Sequence, residues 1–511
     1  MHPLDEHIAQ AVALVVDGNA ASRAACAQML RDAGVAGVTQ SAHPREARQL
    51  IETRAFDIVV CEFHFDRDPM NGLELMDDLR QAGLPALSTV VVMISGEAAY
   101  ARVAEAAEAA LDAYLIKPHT EEALRDRLRQ ARQRKRLLAD VFALVEAQSF
   151  EPAAQLAQER ADARGPAWLQ AARVGAELWL RLSRPDRAAR LLEAILQTGA
   201  LPWARLGLAR AQVESGVAQQ ARRTLESLLG DCPGYADAYD VMSRVLLDQG
   251  DTWAAMEAQA RAVALTPNCV SRRVKLGLMG FYFGDPREAL VHLEEAVRLG
   301  MNSRVFDRQG LVLLAALQFD RRDRRALAVT AHGMTRLRAD APTSARMRRF
   351  EDVVEILHGL AQRRVPEAIA RLRDLLAESM APDFEFEAAC NLLMVLSRVD
   401  RAELHMADLD DHIVRLAERF AVSRTTCELL CGALRSDLVL SQHIRRAYAG
   451  VGEIAEAAVS MTVAGRPRDA VLALRAGAAN AQRQAEGPGA AHAGSPRRDD
   501  RRRRAAARPG A

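Results

Sequence analysis

The chain has 511 residues, of which 50% are hydrophobic, 26% charged and only 5% aromatic, and its formal net charge is +1. That length is enough for about three domains, each with its own core. The near-zero net charge supplies no global field that would direct the whole protein to nucleic acid or to a membrane surface. The longest apolar runs, such as Thr89 to Ile94 and Leu311 to Leu317, fall far short of the roughly 20 residues a bilayer span needs, so no membrane insertion is expected.

Residues 1–11 read as an N-terminal extension. Met1 to Gln10 is polar and acidic rather than basic then apolar, which is not a secretory pattern. The seven cysteines are scattered, and only Cys427 and Cys431 stand close, one helical turn apart. No second cysteine or histidine pair stands at zinc-like spacing, so they read as core residues, and a cytoplasmic location is expected.

Residues 12–131 alternate short apolar runs with amphipathic stretches. Val12 to Val16 ends at Asp17, Ile58 to Cys61 at Glu62, Thr89 to Ile94 at Ser95 and Ala113 to Ile116 at Lys117, with a weaker strand at Gly37 to Ser41. Helical patterns fall near 21–33, 44–53, 71–82, 98–110 and 120–136. Continuous apolar strands alternating with helices predict an α/β, doubly wound, parallel five-stranded sheet covered on both faces. In such sheets the functional crevice lies beyond the carboxyl ends of the strands, where these polar residues fall. The basic stretch 125–136 (RDRLRQARQRKR) reads as a solvated helix end, and 132–145 as a basic helical connector.

From about 141 onward no strand pattern remains, and a period of 34 residues takes over. Gly216, Gly250 and Gly284 share it, as do Ala221, Ala255 and Ala289, Pro233 and Pro267, and Ala262 and Ala296; Ala154 and Ala188 continue it upstream. Such a period predicts stacked helix–turn–helix units. Small residues let the helices approach, glycine ends the first helix of each pair, and proline ends the second or starts the next. The array is placed at 146–480, clearest over 200–301, with Pro366 and Pro467 reading as starts of second helices. Residues 481–511 lose the period and read as a disordered Arg/Ala/Gly/Pro tail. From Pro496 to Ala511 it carries seven arginines and two aspartates.

The segments VALVVDGN, FDIVVCEF, NGLEL, VVVMISGE and DAYLIKPH, in that order, make residues 12–131 resemble the receiver domain of bacterial response regulators. The resemblance implies a phosphoacceptor carboxylate at the end of the third strand, an acidic pair holding magnesium after the first, and a hydroxyl and a lysine that contact the phosphoryl oxygens. A cation is needed there because an attacking carboxylate meets an anionic phosphate, and magnesium prefers oxygen ligands. Carried across, Asp17 matches the first acid, Ser95 the hydroxyl, Lys117 the lysine (followed by Pro118) and Tyr114 an aromatic switch position. Two positions depart from the pattern. Gly18 stands where the second acid belongs, and Glu62, one methylene longer, where the phosphorylated aspartate belongs. A displacement of that size costs about a hundredfold in rate. The receiver therefore reads as degenerate, with Asp17 a weak metal ligand and magnesium doubtful as a cofactor. Asp66 and Asp68, in a lengthened loop, are candidate replacement ligands or plain members of an acidic turn. Glu62 and Lys117 are expected to meet, either as a fixed charge that biases the domain or as a structural ion pair.

Residues 141–480 resemble tetratricopeptide repeats, on Leu208-Ala209, Gly216, Ala221, Leu225 and Pro233; Tyr239, Gly250, Ala255, Ala262 and Pro267; and Leu276-Gly277, Gly284, Ala289 and Ala296. Large aromatics of the family pattern are often missing, as at Gln259. The resemblance implies binding of a peptide or helix of a protein partner in a groove. Together the two parts read as a two-component-type signalling protein, with a receiver-like input, a protein-binding scaffold and no enzyme active site. A histidine kinase or another signalling protein is a candidate partner. A phosphorylatable regulator with a repeat-array output, and a nucleic-acid-binding regulator using the basic tail, are the alternatives. No helix-turn-helix stands out, so nucleic acid is not the expected partner.

Overall fold

The computed structural model describes residues 8–65, 68, 70–96, 112–301, 303, 306–401, 409–434 and 437–486. The chain forms two compact units, Met1–Leu337 and Arg338–Ala511.

The first unit opens with five strands: β1 (Val12–Val16), β2 (Gly37–Ser41), β3 (Ile58–Glu62), β4 (Val90–Ser95) and β5 (Ala113–Ile116). They form one sheet in the order β2-β1-β3-β4-β5, with every neighbouring pair parallel. Every residue of β3 and β4 is buried, which is why these strands read as unbroken apolar runs rather than alternating ones. Three helices, α1 (Ala20–Asp32), α2 (Pro44–Thr53) and α3 (Gly72–Gln81), lie between the strands, and α4 (Glu121–Arg136) follows β5. The helix expected at 98–110 lies outside the described residues. On one face Ala13, Val15, Ile58, Val60 and Val92 pack with Ala27 and Leu30 of α1 and Leu124 and Leu128 of α4. Each helix start has a local cause. Asn19 accepts from the amides of Ala21 and Ser22, Asn71 and Glu74 form a reciprocal capping box, and Thr120 accepts from the amide of Ala123.

The basic stretch at the end of α4 is only partly solvated. Lys135 pairs with Asp112 Oδ1 at 3.2 Å and donates to the Leu87 carbonyl at 2.7 Å, and Arg134 donates to the Asp112 carbonyl at 2.5 Å. Burial holds the Lys135 ammonium below the ordinary lysine range against the pull of Asp112. The strand ends recruit these cations, so they pin the domain rather than float.

Beyond α4 the described residues are helices and short connections. They run α5 (Ala139–Glu146), α6 (Phe150–Asp162), α7 (Trp168–Arg181), α8 (Pro185–Leu196), α9 (Pro202–Glu214), α10 (Ala218–Asp231), α11 (Ala236–Asp248), α12 (Thr252–Leu265), α13 (Val270–Phe283), α14 (Pro286–Gly300), α15 (Gln309–Asp320) and α16 (Arg324–Ala339). Ala221, Ala255 and Ala289 are completely buried near the starts of α10, α12 and α14, and the Ser243 hydroxyl of α11 donates to the Ala255 carbonyl at 2.8 Å. Gly216 and Gly250 adopt φ of +76° and +78° where first helices end. Gly284 departs from that reading, because its φ is −115° and a Cβ there would come within 2.3 Å of Met256 Cε. It is kept by close packing against α12, not by a left-handed turn. The buried amide of Gln259, where the repeat pattern wants an aromatic, donates to Asp240 at 2.9 Å. Cys427 and Cys431 are buried free thiols of the second unit, and burial pushes Cys431 up to about 12.

In the second unit, helix Val365–Glu378 begins one residue before Pro366 and helix Pro467–Glu486 begins at Pro467, with Ala368 and Ala470 buried one turn in. Pro467–Glu486 runs past residue 480, and 487–511 lie outside the described residues. Among the described residues no helix is long and apolar enough to cross a membrane.

The fully buried Ala255 generates a test of register. Ala255→Phe is expected to overpack the α11–α12 contact and cost about 1–3 kcal/mol, read as a lowered melting temperature; an unchanged melt would place Ala255 on a surface.

Candidate functional site

Parallel pairing brings the carboxyl ends of β1, β3, β4 and β5 to one edge of the sheet. Asp17 follows β1, Glu62 closes β3, Ser95 closes β4 and Lys117 follows β5. The central position of β3 sets Glu62 between the strand of Asp17 and that of Ser95. Lys117 is held by its own backbone, whose amide donates to the Ser95 carbonyl at 2.7 Å.

The Lys117 side chain fills the pocket these ends create. Its ammonium donates to Asp17 Oδ2 at 2.9 Å and to the Ser22 hydroxyl at 2.8 Å, and it pairs with Glu62 Oε2. Three donors therefore meet three partners. Each carboxylate is also anchored elsewhere. Asp17 Oδ1 accepts from the Asn19 amide at 2.8 Å, and Asp17 Oδ2 accepts from Ser22 Oγ at 2.6 Å. Glu62 Oε1 folds back to accept from the amides of Phe63 at 2.9 Å and His64 at 3.3 Å. Both acids are more than nine-tenths buried, so each needs such partners.

Partial burial works against the charged Lys117, but hydrogen bonds and attraction from Glu62 and Asp17 outweigh it and hold its pKa above the ordinary lysine value. A raised amine pKa contributes stability fully below the ordinary value of about 10.4, and that contribution is lost as pH rises through the raised one. At neutral pH the contribution is complete. His119, two residues on, is pushed the other way by burial and then by the Lys117 charge.

Ser95 is completely buried, and Tyr114, half-buried in β5, stands in register with Met93 of β4. Gly18 leaves room, because a Cβ there would meet nothing nearer than Phe65 Cδ1 at 3.6 Å. Asp68 accepts from the Met70 amide at 3.0 Å and so closes its own turn. Asp66 lies outside the described residues. Two members of the site carry no signal in the strand-end pattern: Ser22, in the first turn of α1, and Asn19, its cap. The only available cue was their position just after Asp17, where a helix start must turn polar groups toward the preceding strand end.

The pocket also grips the next helix. The Gly72 amide donates to the Phe63 carbonyl at 2.8 Å, and a Cβ on Gly72 would lie 2.3 Å from the Glu62 carbonyl oxygen. Helix α3 is thus butted against the end of β3 with no space for a side chain.

A divalent cation of the kind receivers hold needs near-octahedral oxygen ligands. Here the oxygens of Asp17 and Glu62 facing the pocket are taken by the Lys117 ammonium, and Gly18 has no side chain to add another.

The family model for the response regulator receiver domain matches residues 13–129. These residues are a receiver domain, and the described residues beyond them are helices and short connections. Chemotaxis protein CheY-3 of Vibrio cholerae serotype O1 is 29% identical over 115 residues, 22% of this chain and 86% of that protein. Chemotaxis protein CheY of Pseudomonas aeruginosa is 26% identical over 125 residues, 24% of this chain and 95% of that protein. Among solved structures, a response regulator receiver domain protein from Clostridium thermocellum aligns with 22% identity and a TM-score of 0.22, covering 25% of this chain and 98% of that one. The APC/C hetero-tetramer Cut9–Hcn1 aligns with 13% identity and a TM-score of 0.36, covering 73% of this chain and 68% of that one.

Removing the cation tests the pocket. Lys117→Met is expected to strand two buried carboxylates and destabilise the protein by about 2–3 kcal/mol, below the range for fully buried pairs because Lys117 is partly exposed. Adding Glu62→Gln to it is expected to recover part of the loss in denaturant melts; equal stability of the Lys117→Met protein and the wild type would show that the pair carries no weight.

Proposed function

We infer that the protein is a signalling adaptor, not an enzyme, in which a receiver domain fixed by its own ion pair is joined to a scaffold that binds a protein partner. One observation carries this reading: the Lys117 ammonium lies between Asp17 and Glu62, where phosphoryl chemistry would place its cation and its phosphate. Three features work against phosphoryl transfer. Glu62 spends one oxygen on backbone amides and pairs the other with Lys117, so the carboxylate is held back rather than presented for attack. Gly18 removes a ligand. The extra methylene of Glu62 displaces the nucleophile. The repeat array supports a protein-binding output, since stacked hairpins of this kind present broad surfaces rather than enclosed reaction sites. Signals would then reach the domain by docking, without a resident cofactor.

The experiment is incubation of the full chain with acetyl phosphate and magnesium, read by intact mass. No phosphorylated species is expected. Gly18→Asp combined with Glu62→Asp is expected to gain magnesium binding by titration calorimetry, because the Gly18 position has room for a side chain and both missing oxygens return. Phosphate found on wild-type Glu62, Asp66 or Asp68 would overturn the reading.

A further inference from the structure

The first unit contains a contact that neither the pocket chemistry nor the repeat pattern requires. Helix α3 of the receiver domain carries Glu74, Asp77 and Asp78, all buried, and all three bind the repeat array at the start of α13. Asp78 is completely buried. It accepts from the amides of Val270 at 3.0 Å and Ser271 at 3.1 Å and from the Ser271 hydroxyl at 3.0 Å. These are first-turn amides that the helix cannot satisfy itself, and the residue at its own cap position, Cys269, provides no side-chain cap. The receiver domain therefore supplies the N-cap of a repeat helix, where the helix dipole also favours a negative charge.

Around that cap the pairing continues. Arg272, with a fully buried side chain, donates to Asp77 Oδ2 at 3.0 Å, to Asp237 Oδ1 at 2.5 Å and to Asp240 Oδ2 at 2.7 Å. Glu74 Oε1 accepts from the Asn268 amide at 2.9 Å. From α2, Arg48 pairs with Asp78 at 2.8 Å, its guanidinium lying where a Cβ on Gly300 would be, and Glu52 accepts from the Ser303 hydroxyl at 2.5 Å. Asp237, Asp240 and Arg272 sit on α11 and α13, the first helices of successive hairpins. On the same series of first helices, Glu177 of α7 and Arg210 of α9 pair at 2.8 Å. The face they share is a charged ladder, with an amide-lined station around Arg272 at its α13 end.

We propose that helix α3 of the receiver domain is a built-in occupant of this station, and that the external partner of the array is a helical segment bearing two adjacent carboxylates that competes with Asp77 and Asp78 for it. The proposal deepens the adaptor reading by naming the surface and the chemistry of the partner. Tethering gives the internal helix an effective concentration on the order of millimolar, so an untethered acidic helix wins only when the receiver domain lets go. The link to the pocket is short. Glu62 holds the amides of Phe63 and His64, and the Phe63 carbonyl holds the first residue of α3. A receiver domain bound by another protein at its pocket edge would therefore shift the helix that plugs the array.

The test uses the full chain and a labelled synthetic peptide of residues 70–83, followed by fluorescence anisotropy. Asp77→Ala with Asp78→Ala is expected to bind the peptide about tenfold tighter than the wild type, since one lost cap and one lost ion pair together are worth at least that factor. Adding Arg272→Ala is expected to abolish the gain. In the same double variant the Cys269 thiol, completely buried beside Asp78 Oδ1 at 3.1 Å, is expected to label with maleimide faster than in the wild type, read by peptide mass spectrometry. Should the double variant fail to fold by circular dichroism, Asp78→Asn, which keeps the shape of the side chain, carries the same comparison. Equal peptide affinity in wild type and variant, or no binding to either, overturns the proposal. None of these readouts involves phosphate, so their failure is separable from uptake of phosphate at Glu62, which would sink the adaptor reading instead.

Discussion

A carboxylate removed from water must find a cation or several hydrogen-bond donors, and the first unit of this protein is organised by that requirement. At the sheet edge, Asp17 and Glu62 draw Lys117 from the far side of β4 and so tie the end of β5 to those of β1 and β3. On α3, Glu74, Asp77 and Asp78 draw backbone amides and the Arg272 guanidinium from a stretch of chain almost two hundred residues away. The same physics thus closes the pocket and joins the receiver domain to the repeats, and it explains why residues 12–131 and the first hairpins form one compact unit rather than two.

Much of the architecture is legible in the sequence, for a simple reason. Strands buried on both faces must be apolar throughout, so IVVC and VVVMI announce β3 and β4 directly. The polar residue that ends each run must then sit at the crevice. That reasoning brings Asp17, Glu62, Ser95 and Lys117 to one edge, which is where the structure has them. It cannot reveal what the side chains do on arrival. The turning back of Glu62 onto the amides of Phe63 and His64 depends on loop conformation, and the part played by Ser22 depends on the rotation of α1.

The acids of α3 are the least legible feature. In sequence, NGLELMDDLR is an ordinary capped amphipathic helix whose aspartates would face water. Their partners lie too far along the chain for any periodic pattern to record. A cue did exist at the other end: α13 begins after Pro267-Asn268-Cys269 with no side chain capping it, and Arg272 follows at once. A helix start that lacks its own cap and carries a buried arginine implies an anion brought from elsewhere. The repeats fade from view for a different reason. Where glycine ends the first helix of a pair, at Gly216 and Gly250, the period is plain. Gln148, Ser183 and Arg322 take up the left-handed turn elsewhere at φ of 57°, 54° and 60°. Non-glycine residues bear a cost of about 1 kcal/mol there. The geometry persists while the letter that marks it is lost.

The receiver domain meets the array by the covalent passage from α4 into α5 and again through α2 and α3, which reach the start of α13 and Ser303 beyond α14. The chain between these points, α5 to α12, is therefore a closed ring of four helical hairpins. Each hairpin adds a fixed advance and rotation to the stack, so the ring closes only for that number. Repeat arrays elsewhere lengthen and shorten by duplicating or deleting whole units with little penalty. This segment has lost that freedom: a hairpin gained or lost between residues 139 and 270 would carry Arg272 out of reach of Asp77. The receiver domain acts, in effect, as a gauge that counts repeats.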